Sequence, residues 1–175
     1  MSKTVDGHVI LEGSGDWGFE VIIDGDDLVM RNVKATSFGT DDPDDGGIAA
    51  SNFLTQTYGP RVPVFSLPMA IAHVPYMAGC PIPDVRPGHS WGNPRMLEQG
   101  TWSQMNWCKI RVYSHTTKKE CTGPVCELGP AKDTHNPRAV DCSTAAVRAL
   151  GYEGDVNNFE DTVDVRIFGG AKYVK

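Results

Sequence analysis

With 175 residues, the chain is long enough for one domain that buries about two-thirds of its unfolded-state surface without a disulfide or metal to hold it. Nineteen glycines and twelve prolines, against one good helix candidate, favour short strands joined by tight turns over a helical or doubly wound architecture. The formal charge of -6 argues against a phosphate-backbone ligand, whose binding draws on clustered Lys and Arg, and leaves a neutral or cationic partner.

The N-terminus, Met1 to Gly7, lacks the hydrophobic core and small-residue cleavage site of a secretory leader. Residues 8–12, 19–23 and 28–36 read as strands, separated by Gly- and Asp-rich segments that tolerate positive φ. The first two are expected to form an accessory hairpin within residues 1–27. Lys34 to Ala50 then reads as a strand end followed by an acidic, Gly-rich loop containing Asp41, Asp42, Asp44 and Asp45. Like charges this close raise at least one carboxyl pKa if partly desolvated, so Asp41 or Asp42 is a candidate base; a solvated acidic turn is the alternative. The run lacks the alternating ligands and distal Glu of a calcium loop. Val64 to Pro68 is a further strand, and Pro63, Pro68, Pro75, Pro81 and Pro83 forbid a spanning helix in the uncharged stretch around it.

From Met69 to Ser103 regular patterning disappears. Loops of this length are functional or disordered, and Tyr76, Trp91 and Trp102 argue for an ordered excursion over one end of the domain. Residues 106–114 and 162–168 alternate as half-exposed strands. Between them, Cys121 and Cys126 flank Thr-Gly-Pro-Val, read as a turn that brings two strand ends together, with a disulfide or two packed thiols as the outcomes. Five cysteines leave at least one thiol unpaired in a monomer, and their spacing does not suit zinc. Glu127-Leu-Gly-Pro-Ala131 reads as a rigid turn. Ala139-Val-Asp141 leads into a short helix at 144–150, with Ser143 as N-cap, an Ala-rich body and Gly151 at C′. Glu127 and Asp141 thus stand on either side of the turn, a layout suited to an acid/base pair.

The carboxylate-x-Gly-Pro turn, the Val-Asp-Cys-Ser segment and the Ala-rich helix ending in Leu-Gly resemble the second half of a double-psi β-barrel. Rare lipoprotein A, expansins, family 45 glycoside hydrolases and family 75 chitosanases share that fold. Lys34–Ala50 and Val64–Pro68 resemble its first strand with an acidic loop and the following Val-x-Leu-Pro strand, and the matched segments cover about a third of the chain. The resemblance implies a mainly β chain: a six-stranded barrel spanning residues 1–175 as one domain, with an N-terminal hairpin, long loops and one helix. It implies a glycoside hydrolase acting on chitosan, cellulose or peptidoglycan glycan. Glu127 matches the catalytic aspartate of the family 75 and rare lipoprotein A turn, and Asp141 the general acid of family 45. Asp41 or Asp42 lies nearest the family 45 base.

Val64 stands where rare lipoprotein A carries a catalytic His, which favours hydrolysis over lytic transglycosylation. Expected substrate contacts are His135, Trp91, Trp102 and Thr36, the tryptophans through stacking on apolar sugar faces. No cofactor or metal is expected, nor a nucleic-acid or membrane partner. The chain is expected to be a monomer acting outside the cell, its leader trimmed or its source a phage. The bland alternatives are an exposed turn residue for Glu127 and a structural acceptor at a helix start for Asp141. An expansin-like binding module without hydrolysis and a peptidoglycan lytic transglycosylase are the competing functions.

Overall fold

The computed structural model describes residues 2–5, 8–11, 14–37, 63–67, 109–128, 130, 133 and 135–173. The described strands are β1 (Ser2–Val5), β2 (His8–Leu11), β3 (Ile22–Asp24), β4 (Asp27–Ser37), β5 (Phe65–Leu67), β6 (Lys109–Ser114), β7 (Glu120–Leu128), β8 (Val140–Cys142) and β9 (Glu160–Ile167). They join in the order β1-β2-β3-β4-β8-β5-β7-β6-β9, and β4 pairs additionally with β9. Pairing is antiparallel except for β4–β8 and β5–β7, which are parallel. The chain is therefore mainly β, as its composition implies, with one described α-helix, α1 (Thr144–Ala149). Among the described residues no helix is long and apolar enough to cross a membrane.

Alternation of side chains decides which residues meet in the core. On β9, Val163, Val165 and Ile167 are fully buried while Thr162 is exposed and Arg166 partly so. Leu28, Met30 and Ala35 of β4, Phe65 and Leu67 of β5, and Ile110 and Val112 of β6 fill the same core. Long β4 keeps its register with β9 by a bulge between Met30 and Val33, where Asn32 takes φ 53° and donates its N–H to Asp164 Oδ1 at 2.9 Å.

The expected pairing of the first two strands forms: β2 runs antiparallel to β3, with Val9 opposite Ile23 and Ile10 opposite Ile22, and β1 pairs with β2 as well, from Ser2 opposite Leu11 to Val5 opposite His8. One expectation requires correction: Cys121 to Cys126 lie within the continuous strand β7 rather than around a turn.

Gly123 and Pro124 read as punctuation in the sequence, yet each has a place in this strand. β7 changes partner there: Pro124 is opposite Lys109 of β6, and Val125 is opposite Phe65 of β5. A proline without an N–H is tolerated where one ladder ends and the next begins. At Gly123 an added Cβ would stand 2.3 Å from the Pro63 carbonyl oxygen, so the crossing backbone requires a residue without a side chain. Residues five apart along a strand are separated by roughly 16 Å, which no disulfide spans, and Cys121 is a free thiol.

Helix α1 forms as its caps dictate. Ser143 Oγ accepts the Ala146 N–H at 3.3 Å and also that of Val64 at 3.0 Å, while the Ser143 N–H donates to the Val64 carbonyl at 3.0 Å. The cap thereby ties the helix start to the residue preceding β5. At the other end Gly151, φ 85°, donates to the Arg148 carbonyl and Tyr152 to that of Val147, a Schellman closure.

Far from this junction, Arg166 of β9 clamps the β3–β4 hairpin, donating to Asp24 Oδ2 at 2.7 Å and Asp27 Oδ2 at 2.8 Å; Asp27 Oδ1 accepts the Gly169 N–H at 2.8 Å. Burial raises the Asp27 pKa, but the Gly169 N–H and the Arg166 guanidinium outweigh it and hold the carboxyl below its ordinary value. A depressed folded-state pKa contributes stability that is complete above the unfolded value and lost as pH falls through the folded one. Asp27→Asn is therefore expected to cost about 1 kcal/mol at neutral pH. That difference from wild type should vanish in urea melts below the usual carboxylate range, where Asp27 is itself neutral. A difference that persisted in acid would show that packing, not charge, carries the effect.

Candidate functional site

A row of polar positions crosses the centre of the sheet. Asp141 of β8 is the register partner of Thr36 on β4 and of Ser66 on β5, and Ser66 is in turn the partner of Glu127 on β7. Partners in adjacent strands lie about 4.8 Å apart, so the Asp141 and Glu127 backbones are roughly 10 Å apart with Ser66 between them. A bulge between Phe65 and Ser66 absorbs Cys126, and without that extra residue Glu127 would fall out of register with Ser66. Glu127 belongs to the end of strand β7, not to a turn as its Gly-Pro neighbours suggest.

Asp141 sits between Val140 and Cys142, both fully buried, and by strand alternation it faces away from them. It is nonetheless only 9% exposed, and Thr36 donates its hydroxyl to Asp141 Oδ1 across the parallel β4–β8 pair. Ser66 is buried as well. The row thus combines a nearly buried carboxylate, two hydroxyls and a second carboxylate position on four neighbouring strands. Thr36, expected to contact substrate, is bonded to Asp141.

His135 is solvent-exposed in a bend beside Asn136. Its backbone N–H and that of Asn136 donate to Asp133 Oδ1 at 2.9 and 3.1 Å, and these two bonds pull the Asp133 carboxyl below its ordinary pKa. The turn chemistry is carried by Asp133, with His135 supplying main chain. Asp41, Asp42, Trp91 and Trp102 lie outside the described residues. Val64, where a catalytic histidine would stand in rare lipoprotein A, is a fully buried core residue.

Beside the row, on the β4–β9 side, opens a cleft of about 550 Å³ with Lys34, Asn136 and Glu160 among its lining and Phe19, Val33 and Pro137 as its apolar wall. Lys34 Nζ donates to Glu160 Oε1 at 2.5 Å and to Asn136 Oδ1 at 2.8 Å. Asp161, also lining the cleft, is 9% exposed: Ser114 donates to its Oδ2, while Thr116 Oγ1 at 2.6 Å and the Thr162 N–H at 2.8 Å donate to Oδ1. None of these cleft residues stands out in the sequence. One signal was available: extending the 162–168 alternation back by one residue puts Asp161 in phase with Val163 and Val165, a carboxylate on the core parity.

Two thiols lie in the core at the same junction. Burial pushes Cys121 up to about 11, and burial together with the Asp141, Cys121 and Asp161 charges pushes Cys142 well above the ordinary thiol value. A thiol with its pKa raised this far holds almost no thiolate near neutrality. Native protein treated with iodoacetamide and mapped by peptide mass spectrometry should show Cys121 and Cys142 unmodified, with both labelled once urea unfolds the chain. Rapid labelling of Cys142 in the native state would contradict its burial.

No family model and no curated protein sequence matches this chain.

Proposed function

We propose that this chain is a glycoside hydrolase that cleaves a β-linked polysaccharide on a six-stranded double-psi β-barrel, with Asp141 and Glu127 as its carboxylate pair. The barrel reading is supported by the strand pairings. From β4 they run to β8, β5, β7, β6 and β9 and return to β4. Exchanging the triplet β4, β5, β6 for β7, β8, β9 leaves that set of pairings unchanged and swaps the two parallel pairs, the internal two-fold that two interlocked psi units require.

The observation that carries the chemistry is the shared register of Asp141 and Glu127 with Ser66. Glycosidic cleavage with inversion needs one carboxylic acid to protonate the leaving oxygen and one carboxylate to activate water. Their carboxyl groups stand roughly 6.5–9.5 Å apart to admit that water. Two backbone positions about 10 Å apart on one row suit that spacing better than the short contact of a retaining pair. Glu127 is assigned the acid and Asp141, held by the Thr36 hydroxyl, the base. On this reading the chain acts as a monomer outside the cell, where such glycans occur.

The test is an assay of wild type and Glu127→Gln on chitosan, cellulose and peptidoglycan, scoring new reducing ends and identifying products by mass spectrometry. Turnover of one glycan by wild type and its loss in the variant is the expected result. No reducing ends above the Glu127→Gln background on any substrate would overturn the proposal, and anhydro-sugar products would replace hydrolysis with lytic cleavage. The near-burial of Asp141 and its bond to Thr36 also suit a non-catalytic, expansin-like binding module, in which that carboxylate simply ties β4 to β8. Retention of the chain on insoluble glycan without turnover would select that reading.

A further inference from the structure

The cleft over β4 and β9 neighbours the Asp141 row in register: Thr36 has Asp141 on β8 and Glu160 on β9 as its partners, and Glu160 lines the cleft. Glu160 therefore stands roughly 10 Å from Asp141 along the sheet, on the side opposite Glu127. Lys34, two residues before Thr36 on β4, shares its strand face and reaches across to Glu160. The cleft thus prolongs the polar row beyond Asp141.

Its lining has a definite chemical character. The charged groups are Arg31 and Lys34 against Glu160 and Asp161, so they balance. Lys34 already binds Glu160 and Asn136, and Asp161 already accepts three donors, leaving no surplus of either sign to attract an ion. An ammonium ligand would have to displace Lys34 from Glu160, and an anion would have to displace Glu160 from Lys34; each exchange gives up a charge-assisted bond to gain another. A hydroxyl both donates and accepts, so it can add to the Lys34–Glu160–Asn136 set without breaking it. Phe19, Val33 and Pro137 offer apolar surface to a C–H face beside those polar groups. The Asn32 bulge, pinned by Asp164, fixes the β4 rim of the cleft.

We propose that this cleft is a binding subsite for uncharged, hydroxyl-rich sugar units, with Lys34, Asn136 and Glu160 as its polar contacts. Resting on the hydrolase reading, it narrows the substrate to a neutral glycan rather than a polycationic one.

The test is calorimetric titration of Asp141→Asn, used to suppress turnover, with cellohexaose and with the fully deacetylated chitosan hexamer. The same titrations follow in Lys34→Met and Asn136→Ala on that background, with thermal melts to confirm folding. Cellohexaose should bind more tightly than the amine oligomer and lose about tenfold in affinity in each cleft variant, as expected for a lost charge-assisted or paired hydrogen bond. Unchanged affinity in folded cleft variants, tighter binding of the amine oligomer, or no binding of either would overturn the subsite. Cleft-dependent binding of cellohexaose combined with a wild type that releases no reducing ends would leave the subsite standing and remove the hydrolase.

Discussion

Asp141→Asn is expected to lower glycan turnover by about 10²–10⁴-fold while leaving the thermal midpoint nearly unchanged. Asparagine keeps a carbonyl oxygen in the place of Oδ1, so the Thr36 hydroxyl still has its acceptor and the β4–β8 tie survives. What disappears is a group able to take a proton from water. Asp141→Ala separates the roles further. It should lose turnover to the same extent and in addition leave the partly buried Thr36 hydroxyl without this acceptor, at about 1 kcal/mol of stability. Reducing-end assays beside thermal melts read both quantities. Full turnover in a folded Asp141→Asn would reduce this carboxylate to a structural acceptor and shift the catalytic assignment elsewhere.

The largest effect on stability is expected at Phe65, where truncation to Ala should cost about 3–5 kcal/mol, close to 10 °C or more in melting temperature. Phe65 is fully buried and belongs to a strand of three residues that joins β7 on one side to β8 on the other. Its ring edge lies 3.1 Å from where a Cβ on Gly123 would stand, so ring and glycine fit as a pair. Because the Pro63 carbonyl blocks that Cβ independently at 2.3 Å, Gly123→Ala cannot fill the cavity left by Phe65→Ala. The double variant should be less stable than either single one in urea denaturation. A double variant more stable than Phe65→Ala would mean that the Pro63 segment yields easily.

Part of this architecture was readable from local pattern. The 28–36 strand run with its flanking turn residues, the 162–168 alternation, the Ser143 cap, the Ala-rich helix and Gly151 all act over a few residues, and the structure forms strands β4 and β9 and helix α1 within a residue or two of those spans. Asp141 at a strand-to-helix junction followed from the same reasoning, because a cap and a C′ glycine bracket a helix without reference to anything distant. The failures have a common cause. Thr122-Gly-Pro-Val125 carries turn residues and forms strand, because Gly123 accommodates the Pro63 backbone and Pro124 stands where β7 changes neighbours. Both requirements are set by chain segments roughly sixty residues away or reached through another strand, so no window of sequence contains them.

The site divides along the same line. Residue type and spacing alone singled out Asp141 and Glu127, since two carboxylates near a turn and a capped helix are legible side by side. That they share Ser66 as a register partner depends on a bulge at Cys126 and on a parallel pairing between strands more than fifty residues apart. The Lys34–Glu160–Asn136 set depends on β4 lying beside β9, and the bonded, buried Asp161 on β9 lying beside β6. Short-range capping and alternation energies are written in neighbouring residues and so survive in the linear chain. Which strand lies beside which is decided by burial of the whole core, and only the folded chain brings those partners together.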